Sequence, residues 1–423
     1  MKILVLNAGS SSMKSCLYDL PDGNLPAQPP NPLWQGQIDL THQQGVAEIK
    51  VKTAQGATVE ATYPTESHGD ATARMLAMLW EGETQVINDL KAITCVGHRV
   101  VHGGEEYRQS TVITAEVKEA IARLSTFAPL HNPANLEGIE TIERILGTDM
   151  PQVAVFDTAF HGSLPPAAYV YPGPYAWLEQ GIRRYGFHGT SHQYCAQRTA
   201  QLLDRPLNDL NLITCHLGNG CSLAAIKNGS SIDTTMGFTP LDGLMMGTRS
   251  GAIDPGILFY LWRQSGYTGD QLDTMLNHQS GLQGVSGVSN DMRVLTQAIA
   301  DGNARAQLAL DVYIHRLCAY IGAMLASLGG LDALVFTAGV GENSPQIWTA
   351  ACAPFAFMGL KLDPAKLTRS PHDQDIAAAD STVRVLVIHT QEDWAIAQDC
   401  WHLTGTATPT AGKNDDPEDC ATL

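Results

Sequence analysis

Cations are scarce in this chain. Its 423 residues hold 26 Lys and Arg against 43 Asp and Glu, a formal charge of −17. So acidic a chain is a poor non-specific nucleic-acid binder, since such binding neutralises phosphates with Lys and Arg. Any anion it holds has to be met by a few cations gathered locally. No G-x-x-x-x-G-K-[ST] occurs, which excludes a P-loop, and no H-E-x-x-H occurs. Gly339-Val340-Gly341 lacks the third glycine of a dinucleotide fingerprint. The nine cysteines are scattered without a C-x-x-C. An odd, dispersed set fits a reducing cytoplasm better than a disulfide framework. The apolar residues 3–6 stop at Asn7-Ala8-Gly9-Ser10, too soon for a secretion leader. The longest apolar stretch, residues 317–331, contains three glycines and a serine. It falls short of the ~20 residues of a membrane span and reads as a buried helix running into a strand.

What is present suits a large core: 44% hydrophobic and 16% charged residues, enough for two or three domains. Strands are expected at 3–19 (a hairpin), 93–101, 153–156, 212–215, 223–226, 334–337 and 383–389. Helices are expected over 70–90, from Asn132-Pro133 (Asn as N-cap) to about 146, and from a Thr190-Ser191 cap. Alternating strands and helices indicate an α/β architecture. From Gly405 the composition turns to Pro, Thr, Gly and acids, as in a frayed tail.

Residues 3–12 can be laid over residues 212–221 at an offset of 209. Each copy is an apolar strand, a polar residue, a glycine and a return strand, followed by a lysine, Lys14 or Lys227. Such hairpins are common, so the repeat is either coincidence or two related halves facing each other across a cleft.

Glycine and hydroxyl turns bring backbone N–H groups close to phosphate oxygens. Three occur, at 7–12, 216–222 and 339–343. Arg99 lies near Gly103-Gly104, and Arg249 stands between Gly247 and Gly251. An arginine reads either as a surface ion pair or as a fork for carboxylate or phosphate, and flanking glycines favour the fork. Histidines gather at 131, 161, 188, 192 and 216. Gly189 and the Thr190 cap separate His188 from His192, which favours hydrogen bonding to an anion over a zinc pair. Asp157 and Glu392 stand at expected strand ends. Each is either a cap or solvated acid, or a Mg²⁺ ligand, directly or through water.

Longer motifs bring these residues together: Leu6-Asn-Ala-Gly-Ser-Ser-Ser-Met-Lys14, Gly97-His-Arg-Val-Val-His-Gly-Gly104, Ala128-Pro-Leu-His-Asn-Pro133 and Val155-Phe-Asp-Thr-Ala-Phe-His161. Tyr185-Gly-Phe-His-Gly-Thr-Ser-His192, His216-Leu-Gly-Asn-Gly220, Met246-Gly-Thr-Arg-Ser-Gly251, Ser289-Asn-Asp-Met-Arg293 and Phe336-Thr-Ala-Gly-Val-Gly-Glu-Asn343 follow. Over residues 1–400 the chain resembles the acetate kinase family, of the superfamily of acetate and sugar kinases, heat-shock cognate proteins and actin. The resemblance implies two ribonuclease-H-like (actin-like ATPase) domains facing a central cleft. Residues 1–160 plus about 393–404 would carry the acyl substrate and Mg²⁺. Residues 161–392 would carry the nucleotide, and 405–423 would be a flexible tail.

The implied reaction is reversible transfer of the ATP γ-phosphoryl to acetate, giving acetyl phosphate and ADP. By resemblance, Asn7 and Glu392 would bind Mg²⁺, with Mn²⁺ as the alternative. Lys14 would approach the phosphates. His216, Leu217, Gly218, Asn219, Gly220, Asp291, Met292, Arg293, Gly339, Val340, Gly341, Glu342 and Asn343 would hold ATP. Arg99 would grip the carboxylate; Val101, Leu130, Phe187 and Pro240 would enclose its methyl group. Asp157, His188 and Arg249 would be catalytic. An acetate nucleophile is already ionised near pH 7, so Asp157 is expected to position Mg²⁺ water or an arginine rather than to remove a proton. The family also implies a cytoplasmic homodimer without nucleic-acid or membrane partners. The alternatives are a propionate or butyrate kinase, or a non-catalytic nucleotide switch of the actin kind. The set Arg99, Arg249 and His188 speaks against a switch, which needs no carboxylate grip. The chain departs from the family at Gly162-Ser163-Leu164, where Gln-Thr-Met is common, and at Ala252, where Asp is common.

Overall fold

Strands with continuous apolar runs and strands with alternating ones separate cleanly in this chain. β1 (Lys2–Ala8), β6 (Ile93–Val100) and β8 (Gln152–Phe156) bury nearly every residue. β2 (Ser12–Asp19) and β3 (Trp34–Asp39) follow β1, and β4 (Val46–Thr53) and β5 (Thr58–Pro64) alternate. With the short β7 (Thr111–Val112) these form one sheet, ordered β5-β4-β3-β2-β1-β6-β8-β7. The apolar strands sit in its parallel centre and the alternating ones form an antiparallel meander with one solvated face. The structure is a computed structural model that describes residues 1–8, 12–40, 45–65, 67–129, 131–370 and 372–405.

A second sheet repeats this logic with β9 (Asn211–Leu217), β10 (Cys221–Lys227), β11 (Ser230–Thr234), β12 (Ala333–Thr337), β13 (Gln374–Asp375) and β14 (Arg384–Val387). Its order is β11-β10-β9-β12-β14-β13. In both sheets an antiparallel hairpin precedes two parallel neighbours. The offset of 209 carries both bounds of β1 onto those of β9, and the start of β2 onto that of β10. The pairing differs by one residue: Ala8 faces Met13, but Leu217 faces Cys221, so the second hairpin is tighter. The repeat is therefore structural, and the two sheets are the cores of two α/β domains.

Helices α1 (His68–Ala77) and α2 (Asn132–Leu146) cover one face of the first sheet. Helix α3 (Gly189–Leu203) covers the second sheet. Helices α4 (Gly256–Ser265), α5 (Ala304–Leu328), α6 (Ala338–Asn343) and α7 (Glu392–Thr404) follow. The last of these returns to the other face of the first sheet and also packs on α3. Gly97 of β6 makes that return tight: a Cβ there would lie 2.5 Å from Ile396 Cγ2 and 2.6 Å from Cys400 Sγ. One apolar cluster thus runs from Ile3, Val5 and Cys95 through Trp394 and Ile396 to Leu212 and Leu386.

Several elements differ from their expected form. The helix expected over 70–90 stops at Ala77, and the chain turns at Gly82, whose φ of +78° suits glycine. Asn132 lies inside α2 rather than capping it, because its side chain is spent on the backbone N–H and C=O of His102. Helix α3 starts before Thr190: His188 turns left-handed (φ +57°) and the Gly189 N–H donates to the Asp157 carbonyl. The glycine segment 338–343 is a helix, not a turn. The Glu342 carboxylate accepts the Ala338 N–H, closing the first turn. Glu392 is the first residue of α7, not a strand end. The stretch 317–331 belongs mostly to α5, which is 25 residues long and apolar enough to cross a membrane by composition, yet packs one stripe from Ala306 to Leu328 on the second sheet. Residues 406–423 of the expected tail lie outside the described residues.

Candidate active site

At the C-terminal ends of β1, β6 and β8, three polar side chains interlock. Arg99 donates from Nε to Asp157 Oδ1 (2.9 Å), from Nη2 to Oδ2 (2.6 Å), and from Nη1 to Asn7 Oδ1 (3.1 Å). The Asp157 side chain is only 2% exposed. A carboxylate so enclosed needs a bidentate partner. Burial works against the Arg99 charge, but Asp157 outweighs it and keeps the guanidinium firmly protonated. Asn135 of α2 holds the strand ends in place, donating to Ala8 O and accepting from the Val101 N–H.

The second sheet contributes neutral groups. His192 Nδ1 meets Thr214 Oγ1 (2.7 Å), its Nε2 meets Ser222 Oγ (2.8 Å), and Ser222 Oγ meets His188 Nδ1 (2.8 Å). His188 stacks on His216 with centroids 4.1 Å apart. His216 Nδ1 bonds Ser191 Oγ, which reaches Thr390. Burial lowers all three rings, His216 to about 3 and the others well below the usual range, with Arg99 adding to the effect on His188 and His216. Neutral rings give the chain a direction. If Thr214 donates to His192, then His192 donates to Ser222, Ser222 donates to His188, and His188 Nε2 carries a hydrogen into the cleft.

Gly220 leaves room there. A Cβ at Gly220 would sit 3.5 Å from His188 Nε2 and 3.4 Å from Arg249 Nη1, so the two side chains approach one point. Burial lowers the Arg249 guanidinium, and Arg99 nearby adds to it. His131, lowered to about 4 chiefly by burial, feels both arginines. Arg249 Nη1 also donates to Pro240 O. Val101, two residues beyond Arg99, and Phe187, next to His188, lie in one buried cluster.

The residues expected to hold ATP gather around the tight hairpin. Gly218 lies against Ala338, Gly341 against Leu217, and Asn219 accepts from Asn290, next to Asp291. Leu217 and Met292 are core side chains, so only their backbones could face a ligand. Asp291 caps its helix and pairs with Arg293 (2.6 Å). Besides Ala338, Glu342 holds the Thr390 N–H, and Asn343 donates to Gly339 O. Gly339 and Val340 are at least partly exposed on α6. Lys14 is exposed on β2, in a groove shared with Lys50 and Asp393. Leu130 lies outside the described residues.

Glu392 Oε1 is 4.0 Å from His216 Nδ1. Burial pushes its carboxyl up to about 7 against the pull of Arg99, with Asp157 and Asp393 adding to the rise. A carboxyl so penalised, close to Arg99, which Asn7 also touches, suits a hard cation that would relieve it. Among the described residues no three His, Cys, Asp or Glu side chains form a metal cage. Sequence patterns missed Ser222, Thr214, Ser191, Thr390 and Asn135. Ser222 is 34 and 30 residues from the histidines it joins, beyond any local spacing.

Residues 2–398 match the acetokinase family profile. The acetate kinase of Gloeobacter violaceus is 66% identical over 404 residues, 95% of this chain and 100% of that one. The acetate kinase of Trichormus variabilis is 65% identical, covering 95% and 99%. Among solved structures, Porphyromonas gingivalis acetate kinase aligns with a TM-score of 0.87 at 41% identity, covering 95% and 99%. A propionate kinase from Francisella tularensis aligns with a TM-score of 0.85 at 38% identity, covering 95% and 99%.

Proposed function

The chain belongs to the acetokinase family, and from that premise we infer that it transfers the γ-phosphoryl group of ATP to acetate, giving acetyl phosphate and ADP. The observation that carries this reading is the convergence of His188 Nε2 and Arg249 Nη1 over Gly220, beside an arginine locked by a buried aspartate. Phosphoryl transfer asks for positioned charge around three equatorial oxygens and little covalent help from the protein. Arg249 and the neutral His188 supply two donors for those oxygens. Arg99 keeps N–H groups on Nη1 and Nη2 beyond those used by Asp157 and Asn7, and these orient the acetate carboxylate. Asp157 acts on Arg99, holding its plane, and moves no proton. Val101 and Phe187 border the methyl end. The 216–220 turn and α6 hold the nucleotide. Asn7 and Glu392 would hold Mg²⁺, which neutralises charge on the nucleotide phosphates when bound.

A homodimer is the reading supported by α4, which buries none of its ten residues and leaves Ile257, Phe259, Tyr260 and Trp262 between 45% and 63% exposed. So much exposed apolar surface on one helix favours a second copy covering it. Eight free thiols among the described residues suit a cytoplasmic enzyme. The test of the reaction is ATP-dependent hydroxamate formation from acetate and hydroxylamine. A folded protein that binds ATP but forms no hydroxamate would be a nucleotide switch instead.

A further inference from the structure

Four residues other than glycine turn left-handed among the described residues: His188, Asp204, Asn228 and Ala338. Histidine, aspartate and asparagine enter that region more readily than other types. Ala338, with φ +65°, has no polar side chain to ease the turn, so its surroundings must hold it there. It stands where β12 ends and α6 begins.

The group that holds it is Glu342. Glu342 Oε1 accepts the Ala338 N–H at 2.9 Å and the Thr390 N–H at 3.0 Å. One carboxylate oxygen thus ties the first residue of α6 to the chain that follows β14. The carboxylate is steadied from behind. His389 Nε2 lies 4.0 Å from Glu342 Oε2, and His389 Nδ1 lies 3.5 Å from Asp373 Oδ1. Asp373 in turn accepts the His389 backbone N–H (2.9 Å) and Arg198 Nε of α3 (2.6 Å).

The Ala338 methyl explains why the left-handed residue is not glycine. A Cβ on Gly218 would lie 3.7 Å from Ala338 Cβ, so α6 and the 216–220 turn meet at this side chain. These are the two segments to which the nucleotide is assigned above. An acid among them would repel phosphate if it faced the ligand, whereas Glu342 spends Oε1 on two backbone N–H groups.

We propose that Glu342 is a positioning residue: it holds Ala338 left-handed and so sets α6 against the 216–220 turn in the arrangement that takes ATP, without touching the nucleotide. The proposal rests on the nucleotide assignment given under the proposed function. Without the carboxylate, Ala338 relaxes toward right-handed backbone and the binding arrangement becomes a minor state. Left-handed backbone disfavours a residue with a Cβ by roughly 5–30-fold. Apparent affinity falls with the population of the competent state. Glycine adopts either hand about equally, so glycine at position 338 makes the carboxylate dispensable.

The test is calorimetric ATP binding to the full chain, with hydroxamate kinetics alongside. Glu342→Ala should weaken ATP binding by roughly 5–30-fold. It should leave the KM for acetate within about twofold. Glu342→Gln, which keeps an accepting oxygen, should stay within about threefold of wild type. The double variant Glu342→Ala with Ala338→Gly should return to within about threefold of wild type, although it lacks the carboxylate. If Glu342→Ala does not fold, Glu342→Asp, which draws the oxygen back by one methylene, replaces it in both arms. Unchanged ATP affinity in Glu342→Ala overturns the proposal. So does a loss that Ala338→Gly fails to restore, which would make Glu342 a direct nucleotide contact. A wild-type chain that binds no ATP would instead overturn the nucleotide reading, and the proposal with it.

Discussion

Where β1, β6 and β8 end, the cleft is lined by charge: Arg99 and Asp157 face each other as a buried pair, with Asn7 on the open side of the guanidinium. Where β9 ends and β10 begins, the lining is neutral: three histidines, their hydroxyl partners and glycines. The two sheets share a topology, so the difference lies in side chains rather than in backbone. It follows from what each side meets. A carboxylate substrate is anchored best by a fixed cation in a fixed plane. A phosphoryl group in transit is served by donors that carry no net charge and so do not hold the product after transfer. Arg249 is the exception on the neutral side, a cation that burial and Arg99 disfavour but that stays protonated.

That exception is the first place to break the comparison. Arg249→Ala should lower kcat by roughly 10³–10⁵ with ATP affinity nearly unchanged. Steady-state kinetics showing a near-normal kcat would remove Arg249 from the reaction. Gly220→Ala is gentler, because its methyl would make only ordinary contacts with His188 and Arg249. The protein should fold normally yet lose about 10² in kcat, since the methyl fills the point that both side chains approach. A melting curve beside the kinetics separates that outcome from misfolding.

Acid should act on the neutral side next. Burial lowers His161 to about 4 and His216 to about 3, and holds His188 and His192 well below the usual imidazole value. Folded pKa values below the unfolded ~6.5 mean that this stability is complete above pH ~6.5 and is lost as pH falls through the folded values. Each ring should remove on the order of 1 kcal/mol per pH unit below that point. Calorimetry at pH 7.5, 6 and 5 should show a steadily falling Tm, and imidazole NMR should show these rings neutral until unfolding. A ring titrating near 6.5 in the folded protein would contradict the network. The smallest effect is on the charged side: Val101→Ala should raise propionate kcat/KM relative to acetate by a few-fold to about tenfold, because one methylene is worth only about 1–3 kcal/mol. An unchanged ratio in a folded variant would remove Val101 from the acyl pocket.

Strands β3, β4 and β5 were not among those expected; the two glycine hairpins, the apolar strands and the arginines between glycines were legible because their causes are local: continuous apolar runs and glycine at turns. The end of α1 was not. Its apolar pattern continues past Ala77, and only tertiary packing and the turn at Gly82 stop it. The cap of α3 was misplaced because His188 enters the left-handed region, a cost for a non-glycine residue that no local pattern announces. An arginine partner for Asp157 was among the expectations, but which arginine it holds depends on residues 58 apart, and the role of Ser222 on residues 30 and 34 away. Such contacts exist only once both strands are laid side by side.

The fit of α7 against Gly97 has a consequence for how the molecule is made. The first sheet is complete in the chain by Phe156, but the helix that covers one of its faces begins at Glu392, more than two hundred residues later. A growing chain therefore carries that face, with Ile3, Val5 and Cys95, uncovered while the whole second domain is synthesised. Any larger residue at Gly97 would leave the earlier strands able to pair yet bar the late helix from docking. Its damage would show as a chain held by chaperones and degraded in the cell, rather than as a slow enzyme.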